Sequence, residues 1–197
     1  MVDYTRGIFL LMQIRTWIFI GGMLIGIQAI VLYVMGQPLI SASGMVKLWH
    51  GVVLSSENSQ QISDWYTFSH VLHGFLFFAA LSFLFPRMSV WFRLAIAVGV
   101  EVSWELFENT DTIINRYREQ ALAQGYVGDS VINSVCDTIA MVIGFVFAWR
   151  VPVWVSVVAL VAIEALMLYF IRDSLTLNIT QLLHPVDWVS DWQGGRI

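Results

Sequence analysis

Runs of about 20 apolar residues recur along the whole chain, and each is long enough to cross the ~30 Å hydrocarbon core of a bilayer as a helix. They lie at about 17–35, 64–85, 90–107, 130–149 and 152–171. The fold class that follows is all-α integral membrane, a bundle of about five transmembrane helices forming a single domain over 1–197. Composition agrees. Only 12% of the residues are charged, against about a quarter in an ordinary soluble domain, and the mean hydropathy is +0.73.

The punctuation between the runs has physical causes. The first run follows Arg6 and Arg15 without a small-residue cleavage site, so it reads as a retained span and not a cleaved signal. Within it, Gly22 and Gly26 form a small-xxx-small pair at which another helix is expected to approach closely. Gly36-Gln37-Pro38 breaks the helix; residues 45–54 read as interfacial and 55–63 as polar. Pro86-Arg87 stops the second span, and Ser89 is placed to cap the third. A short polar helix is expected over 111–124, ended by Gly125, with Asp129 or Ser130 capping the fourth span and Pro152 opening the fifth. The lone Cys136 sits in an apolar run, where it reads as structural and excludes an intrachain disulfide framework.

Basic residues bear on orientation. With five spans, Arg6, Arg15, Arg87, Arg93 and Arg150 share one side, in short segments beside membrane ends. Lys47, Arg116, Arg118, Arg172 and Arg196 are spread over longer segments on the other. The positive-inside bias acts on short flanking segments, so the N-terminus is expected in the cytoplasm and the C-terminus outside. A net charge of −4 excludes a basic nucleic-acid surface.

Parity then gathers the ionisable residues. The start of the second span, the end of the third and the start of the fourth share one membrane face. His70 and His73 are three apart; Glu101, Glu105 and Glu108 are spaced four and three; Asp129, Asn133 and Asp137 are spaced four and four. Each set makes one helical stripe. Turned to lipid, each charge would cost roughly 2.5–3.5 kcal/mol even on a lenient insertion scale, so the stripes are expected to converge on an interior pocket. Its carboxylates repel one another and call for cations, which Arg116, Arg118 or a bound metal would supply. Mixed imidazole and carboxylate donors on facing helices suit Zn, Mn or Fe. On this reading His70, His73, Glu105 and Asp137 hold a divalent metal. Glu101, Glu108 or Asp129 serves as base, while Ser130 and Ser134 are less favoured nucleophiles for want of a placed base. The bland alternative is that these groups only pair with one another or with Arg116 and Arg118 to hold the bundle. Trp104 reads as packing, His50 and His184 as surface residues, and Glu164 stands alone in the fifth span without an assigned partner.

The segment Trp104-Glu105-Leu106-Phe107-Glu108-Asn109, followed by Tyr126-Val127-Gly128-Asp129-Ser130-Val131-Ile132-Asn133-Ser134 and then Asp137, resembles the signature of an uncharacterised family of bacterial inner-membrane proteins known as a domain of unknown function. The likeness covers most of the chain. A looser one, over the third and fourth spans, is to VanZ-like membrane proteins, without that group's Glu-xx-Gln and Gly-Arg elements. The first resemblance implies a multi-pass protein of the bacterial inner membrane; neither implies a substrate. The reading that joins these strands is a metal-assisted hydrolase of a lipid or lipid-linked substrate at the outer leaflet, with membrane lipids as partners. Two rivals stand beside it: an accessory subunit docked to a membrane-protein partner, and an ion- or proton-binding transport protein.

Overall fold

A computed structural model describes residues 2–195 of the chain. Among them are eight helices: α1 (Val2–Val34), α2 (Thr67–Leu84), α3 (Val90–Glu108), α4 (Asp111–Arg118), α5 (Val131–Arg150), α6 (Val153–Ile171), α7 (Leu175–Leu183) and α8 (Asp187–Gln193). The described residues contain no strand, only an isolated bridge between His50 and Asp64. Four helical stretches are long and apolar enough to cross a membrane: Ile14–Val34, Thr67–Leu84, Val131–Arg150 and Val153–Ile171. The protein is an all-α membrane bundle. At 19 residues α3 matches the others in length, but Arg93, Glu101, Glu105 and Glu108 keep it out of the apolar set. Glu101 and Glu105 are buried, so much of the charge that lowers its hydropathy faces the protein.

Side-chain caps set several boundaries. Ser89 accepts from Phe92 N, Ser130 from Asn133 N and Ser174 from Leu177 N, each satisfying an N–H that the first helical turn leaves free. Helix α2 begins after Asp64 because that carboxylate accepts the N–H groups of Ser59 and Tyr66 and holds the chain in a turn. The polar helix expected over 111–124 ends instead at Arg118; turns follow, closed by Gly125 at φ 87°.

Helices α2 and α5 form the central pair and share the most extensive contact in the molecule. Their backbones meet at Gly74 and Gly144. A Cβ on Gly74 would lie 2.2 Å from Met141 O, and one on Gly144 would lie 2.1 Å from Val71 O. Gly22 and Gly26, by contrast, have no described atom beyond the neighbouring backbone of α1 itself within 4 Å of where a Cβ would sit. The close helix approach expected at Gly22 and Gly26 therefore occurs elsewhere, at a pair of glycines on different helices. Helix α3 packs against α1, α2 and α5, around a core of Leu81, Ala97, Val98, Val102, Met141 and Phe145. Helix α6 leans on α2 and α5 from outside. Within their apolar windows α5 is 56% buried and α6 only 6%, which gives α6 and most of α1 the exposed apolar flanks that lipid would cover.

The connections are unequal. Helices α2 and α3 are joined at 85–89, and α5 and α6 at 151–152. Segments 35–66, 109–130 and 172–195 gather at the opposite end as a polar cap. Ser130 N and Val131 N donate to Ser59 O and Pro38 O, Arg116 Nε donates to Leu182 O, and Tyr66 OH donates to Asp173.

Candidate functional site

The three stripes meet beneath this cap. His73 is six residues into α2, Asp137 six into α5 and Glu101 seven from the end of α3. At ~1.5 Å per residue, all three lie about 9–10 Å below their helix ends, so they reach one depth. His70 Nδ1 is 2.6 Å from Glu101 Oε1 and 3.3 Å from Glu105 Oε1, while its Nε2 is 3.8 Å from Asp137 Oδ2. His73 Nδ1 is 3.1 Å from Glu101 Oε2. His73 thus pairs with Glu101 on α3, and among the described ion pairs it does not join Glu105 or Asp137. Glu101 bridges both imidazoles and takes a more central place than the base role read for it above.

The polar network extends behind the histidines into α1. Ser134 Oγ donates to Glu105 Oε2 at 2.6 Å and accepts from Gln28 Nε2 at 2.7 Å; Thr138 Oγ1 donates to Gln28 Oε1 at 2.9 Å. Because the threonine orients the amide and the amide fills the serine's acceptor side, the Ser134 proton is committed to Glu105. Among the buried side-chain atoms without a hydrogen-bond partner, two belong to this site: Asp137 Oδ1, and Glu105 Oε1, whose nearest ionic neighbour is His70 Nδ1 at 3.3 Å. A carboxylate oxygen left dry in a membrane interior is costly unless something cationic answers it.

Nearer the cap, Gly128-Asp129-Ser130 is a folded joint. Gly128 has φ 93°, and a Cβ there would lie 2.5 Å from Gln37 Nε2 and 2.8 Å from Asn109 Oδ1, so only glycine fits. Its carbonyl accepts from Gln60 Nε2. Asp129 accepts from Asn109 Nδ2 and Tyr126 OH, and its N–H donates to Asn109 Oδ1. Burial raises the Asp129 carboxyl to about 6, against the lowering pull of those two hydrogen bonds. Ser130 caps α5 and donates to Gln60 O, and Asn133 donates to Gln61 O; both serve the architecture. Arg116 and Arg118 do not reach the carboxylates of the pocket. Arg116 is held by Glu119 and Leu182 O, and Arg118 by Asn115 and Tyr126 O, because α4 turns their side chains along the cap. Every described ion pair of Glu101, Glu105 and Asp137 is with a histidine.

A narrow cleft, partly open to solvent, runs from the cap to this floor. His70, His73 and Asp137 line its bottom, Glu108 and Asp129 its side, and Tyr66, Trp104, Tyr117 and Tyr126 its walls. Trp104, read from sequence as packing, is a wall of the cleft. Glu164 finds its partner outside the cleft: it accepts from Leu175 N and Thr176 N and so caps α7. His50 bonds Ser55 and Val52 O within its own loop, and His184 is exposed. Sequence reasoning passed over Gln28, Asn109 and the tyrosines. Gln28 had a usable signal, since it is the one amide within the first apolar run and a buried amide in lipid must be satisfied.

The model of the family described as "Protein of unknown function (DUF2585)" matches residues 32–195. The chain belongs to the DUF2585 family. The match takes in α2 to α8 and every residue lining the cleft, while Gln28 falls just before it. Among curated relatives, a UPF0314 protein of Sphingopyxis alaskensis is 49% identical over 181 residues, 92% of this chain and 96% of its own length. A UPF0314 protein of Paracoccus denitrificans is 52% identical over 171 residues, 87% of this chain and 89% of its own. One of Brucella anthropi is 45% identical over 172 residues, 87% of each chain. No solved structure matches. This DUF2585 chain is thus similar, over most of its length, to proteins of bacteria.

Proposed function

We propose that this protein is a membrane-embedded, metal-assisted hydrolase of a lipid or lipid-linked substrate at the outer leaflet of the bacterial inner membrane. The observation that carries the reading is the floor of the cleft, where two imidazoles and three carboxylates from three helices meet and no described arginine or lysine pairs with those carboxylates. Donor atoms of His70, His73 and Glu101 lie within 4.8 Å of one another, as do those of His70, Glu105 and Glu108. Ligands of a tetrahedral ion with bonds of ~2.0–2.2 Å stand roughly 3.4 Å apart, so small side-chain shifts suffice. His70, His73 and Glu101 are the favoured ligands for Zn, Mn or Fe, with Glu105 adjoining. Asp137 faces the other nitrogen of His70, a position that orients a ligating ring. Held by these residues, a divalent ion would supply the charge that lets water be deprotonated near neutrality. Glu108, which lines the cleft with the Tyr117 hydroxyl beside it, would take the proton, while Asp129 is engaged by Asn109 and Tyr126.

Depth supports a lipid substrate, because a floor about 9 Å below the helix ends is within reach of a headgroup entering from the cap. In this reading α3 also crosses the membrane, as the third of five spans in a single domain, the N-terminus is cytoplasmic and the cap faces outward. The open face at Gly22 and Gly26 favours one rival, an accessory subunit receiving a partner helix there.

The test is elemental analysis of protein purified without added metal, beside mass-spectrometric assay of lipid turnover with and without chelator. Near-stoichiometric metal is expected in the wild type, and less than a tenth of it in the His70→Ala, His73→Ala double variant, with thermal unfolding as the control for folding. A metal-free wild type, with a double variant equally stable, overturns the metal reading. Metal without any turnover of lipid overturns the hydrolase. A stoichiometric membrane protein co-purifying with a metal-free chain favours the accessory subunit.

A further inference from the structure

We infer that the upper part of the cleft is a cage for a quaternary or methylated ammonium headgroup, walled by Trp104, Tyr117 and Tyr126 and held electrostatically by Glu108 and Asp129. The inference deepens the lipid reading of this cleft by naming a headgroup class, and it does not depend on the metal.

Three observations converge on it. The first is the wall. Trp104, Tyr117 and Tyr126 line the cleft together, and the two tyrosine rings stand edge to face with centroids 5.5 Å apart. Their hydroxyls are already spent, Tyr126 OH on Asp129 Oδ1 at 2.8 Å and Tyr117 OH on Asn178 Oδ1 at 3.2 Å. What the rings still offer a ligand is π surface, which attracts a cation and suits one without N–H donors.

The second is charge. Glu108, Asp129 and Asp137 line the cleft, Glu101 and Glu105 lie behind its floor, and no lysine or arginine is among the lining residues. The lining thus offers acidic groups and histidines, with no fixed cation among them. A phosphate or carboxylate on its own would be repelled here, whereas a zwitterionic headgroup can lodge its ammonium against the wall.

The third is an unmet acceptor. Asp137 is 4% exposed, lines the cleft, and its Oδ1 has no hydrogen-bond partner. The floor beneath the cage thus holds an acidic group that the protein leaves partly unanswered, and its field favours a cation above it.

The experiment is calorimetric titration of the full chain in a maltoside detergent with choline and with 3,3-dimethyl-1-butanol, its neutral carbon isostere. Choline is expected to bind at least tenfold more tightly than the isostere. Trp104→Ala and Tyr117→Ala should each weaken choline at least fivefold. Tyr117→Phe, which keeps the ring and loses only the hydroxyl, should stay within threefold of wild type. Dihexanoyl phosphatidylcholine binding tenfold tighter than choline would identify a lipid as the source of the cation, and equal affinity a free ammonium solute. Equal binding of choline and isostere, or no choline binding by a chain whose thermal unfolding is cooperative, overturns the inference. Metal content measured on the same preparation separates the two readings: choline binding by a metal-free chain sustains the cage and removes the metal, and a metal-loaded chain indifferent to choline does the reverse.

Discussion

At the scale of single residues, the network behind His70 shows how a membrane interior handles polar groups. Gln28 is fully buried, and both ends of its amide are used, one by Thr138 and one by Ser134. Gln28→Leu would leave Ser134 and Thr138 without their partner, at a cost of about 1–3 kcal/mol. Unfolding of Gln28→Leu, Ser134→Ala and the double variant should reveal coupling, with the double costing less than the sum of the singles. Additivity would show that the contact does no work. Asp129 makes a second prediction. Burial raises its carboxyl to about 6, while in the unfolded chain it titrates near its ordinary value of 3.8. Between those values the folded state holds the extra proton, so the stability from this group is largest at low pH and declines as pH rises toward 6. Asp173, likewise buried and raised to about 6, acts in the same direction. The thermal midpoint of the ligand-free chain should therefore fall from pH 4.5 to 6.5, less so in Asp129→Asn. Asp129 also interacts with His70, Asp64, Glu108 and Tyr126, so the transition will be broader than that of one isolated acid.

At the scale of elements, the α2–α5 crossing depends on two glycines. A methyl group at either position meets backbone atoms, which cannot rotate away, so Gly74→Ala and Gly144→Ala should each cost about 1–3 kcal/mol or more by forcing the helices apart. Gly22→Ala and Gly26→Ala meet open space and should change stability by less than ~0.5 kcal/mol in the isolated chain. Denaturant unfolding of the four variants in one detergent checks both halves, and equal effects across the set would contradict the packing described. Glu164 supplies another element-level prediction. It accepts the first two free N–H groups of α7, so Glu164→Ala should destabilise that helix by about 1 kcal/mol, while Glu164→Gln keeps an acceptor and should lose less. Faster amide exchange at Leu175 and Thr176 in the alanine variant is the measurement.

At the scale of the whole molecule, the long connections gather at one end and the short ones at the other, so the cleft opens toward one face of the bundle. A reporter fused after Ile197 should behave as extracytoplasmic, from the density of basic residues beside the short connections. Cytoplasmic signal from that fusion would place the cleft on the inner leaflet. Of the residues in that argument, Arg196 and Ile197 lie outside the described residues, and the Arg6 side chain is not described.

Apolar run length was enough to define an all-α membrane bundle, because a lipid-exposed backbone must bond within its own helix and therefore needs one long run per crossing. Helical spacing was enough to put His70 with His73 and Glu101 with Glu105 on common faces, since the 3.6-residue period is a local property. The partners of those faces were a different matter. His73 with Glu101, Ser134 with Glu105, and Gln28 with both Ser134 and Thr138 depend on the rotation and height of whole helices, which no segment encodes alone. Gly22 and Gly26 look in sequence like a packing face, while Gly74 and Gly144, seventy residues apart, look like nothing in particular. Only the assembled bundle decides which glycines bear another backbone, and only the cap's folding turns Arg116 and Arg118 away from the carboxylates they were expected to neutralise. Local periodicity follows from covalent geometry within one segment, whereas contact between segments follows from packing that all of them must satisfy at once.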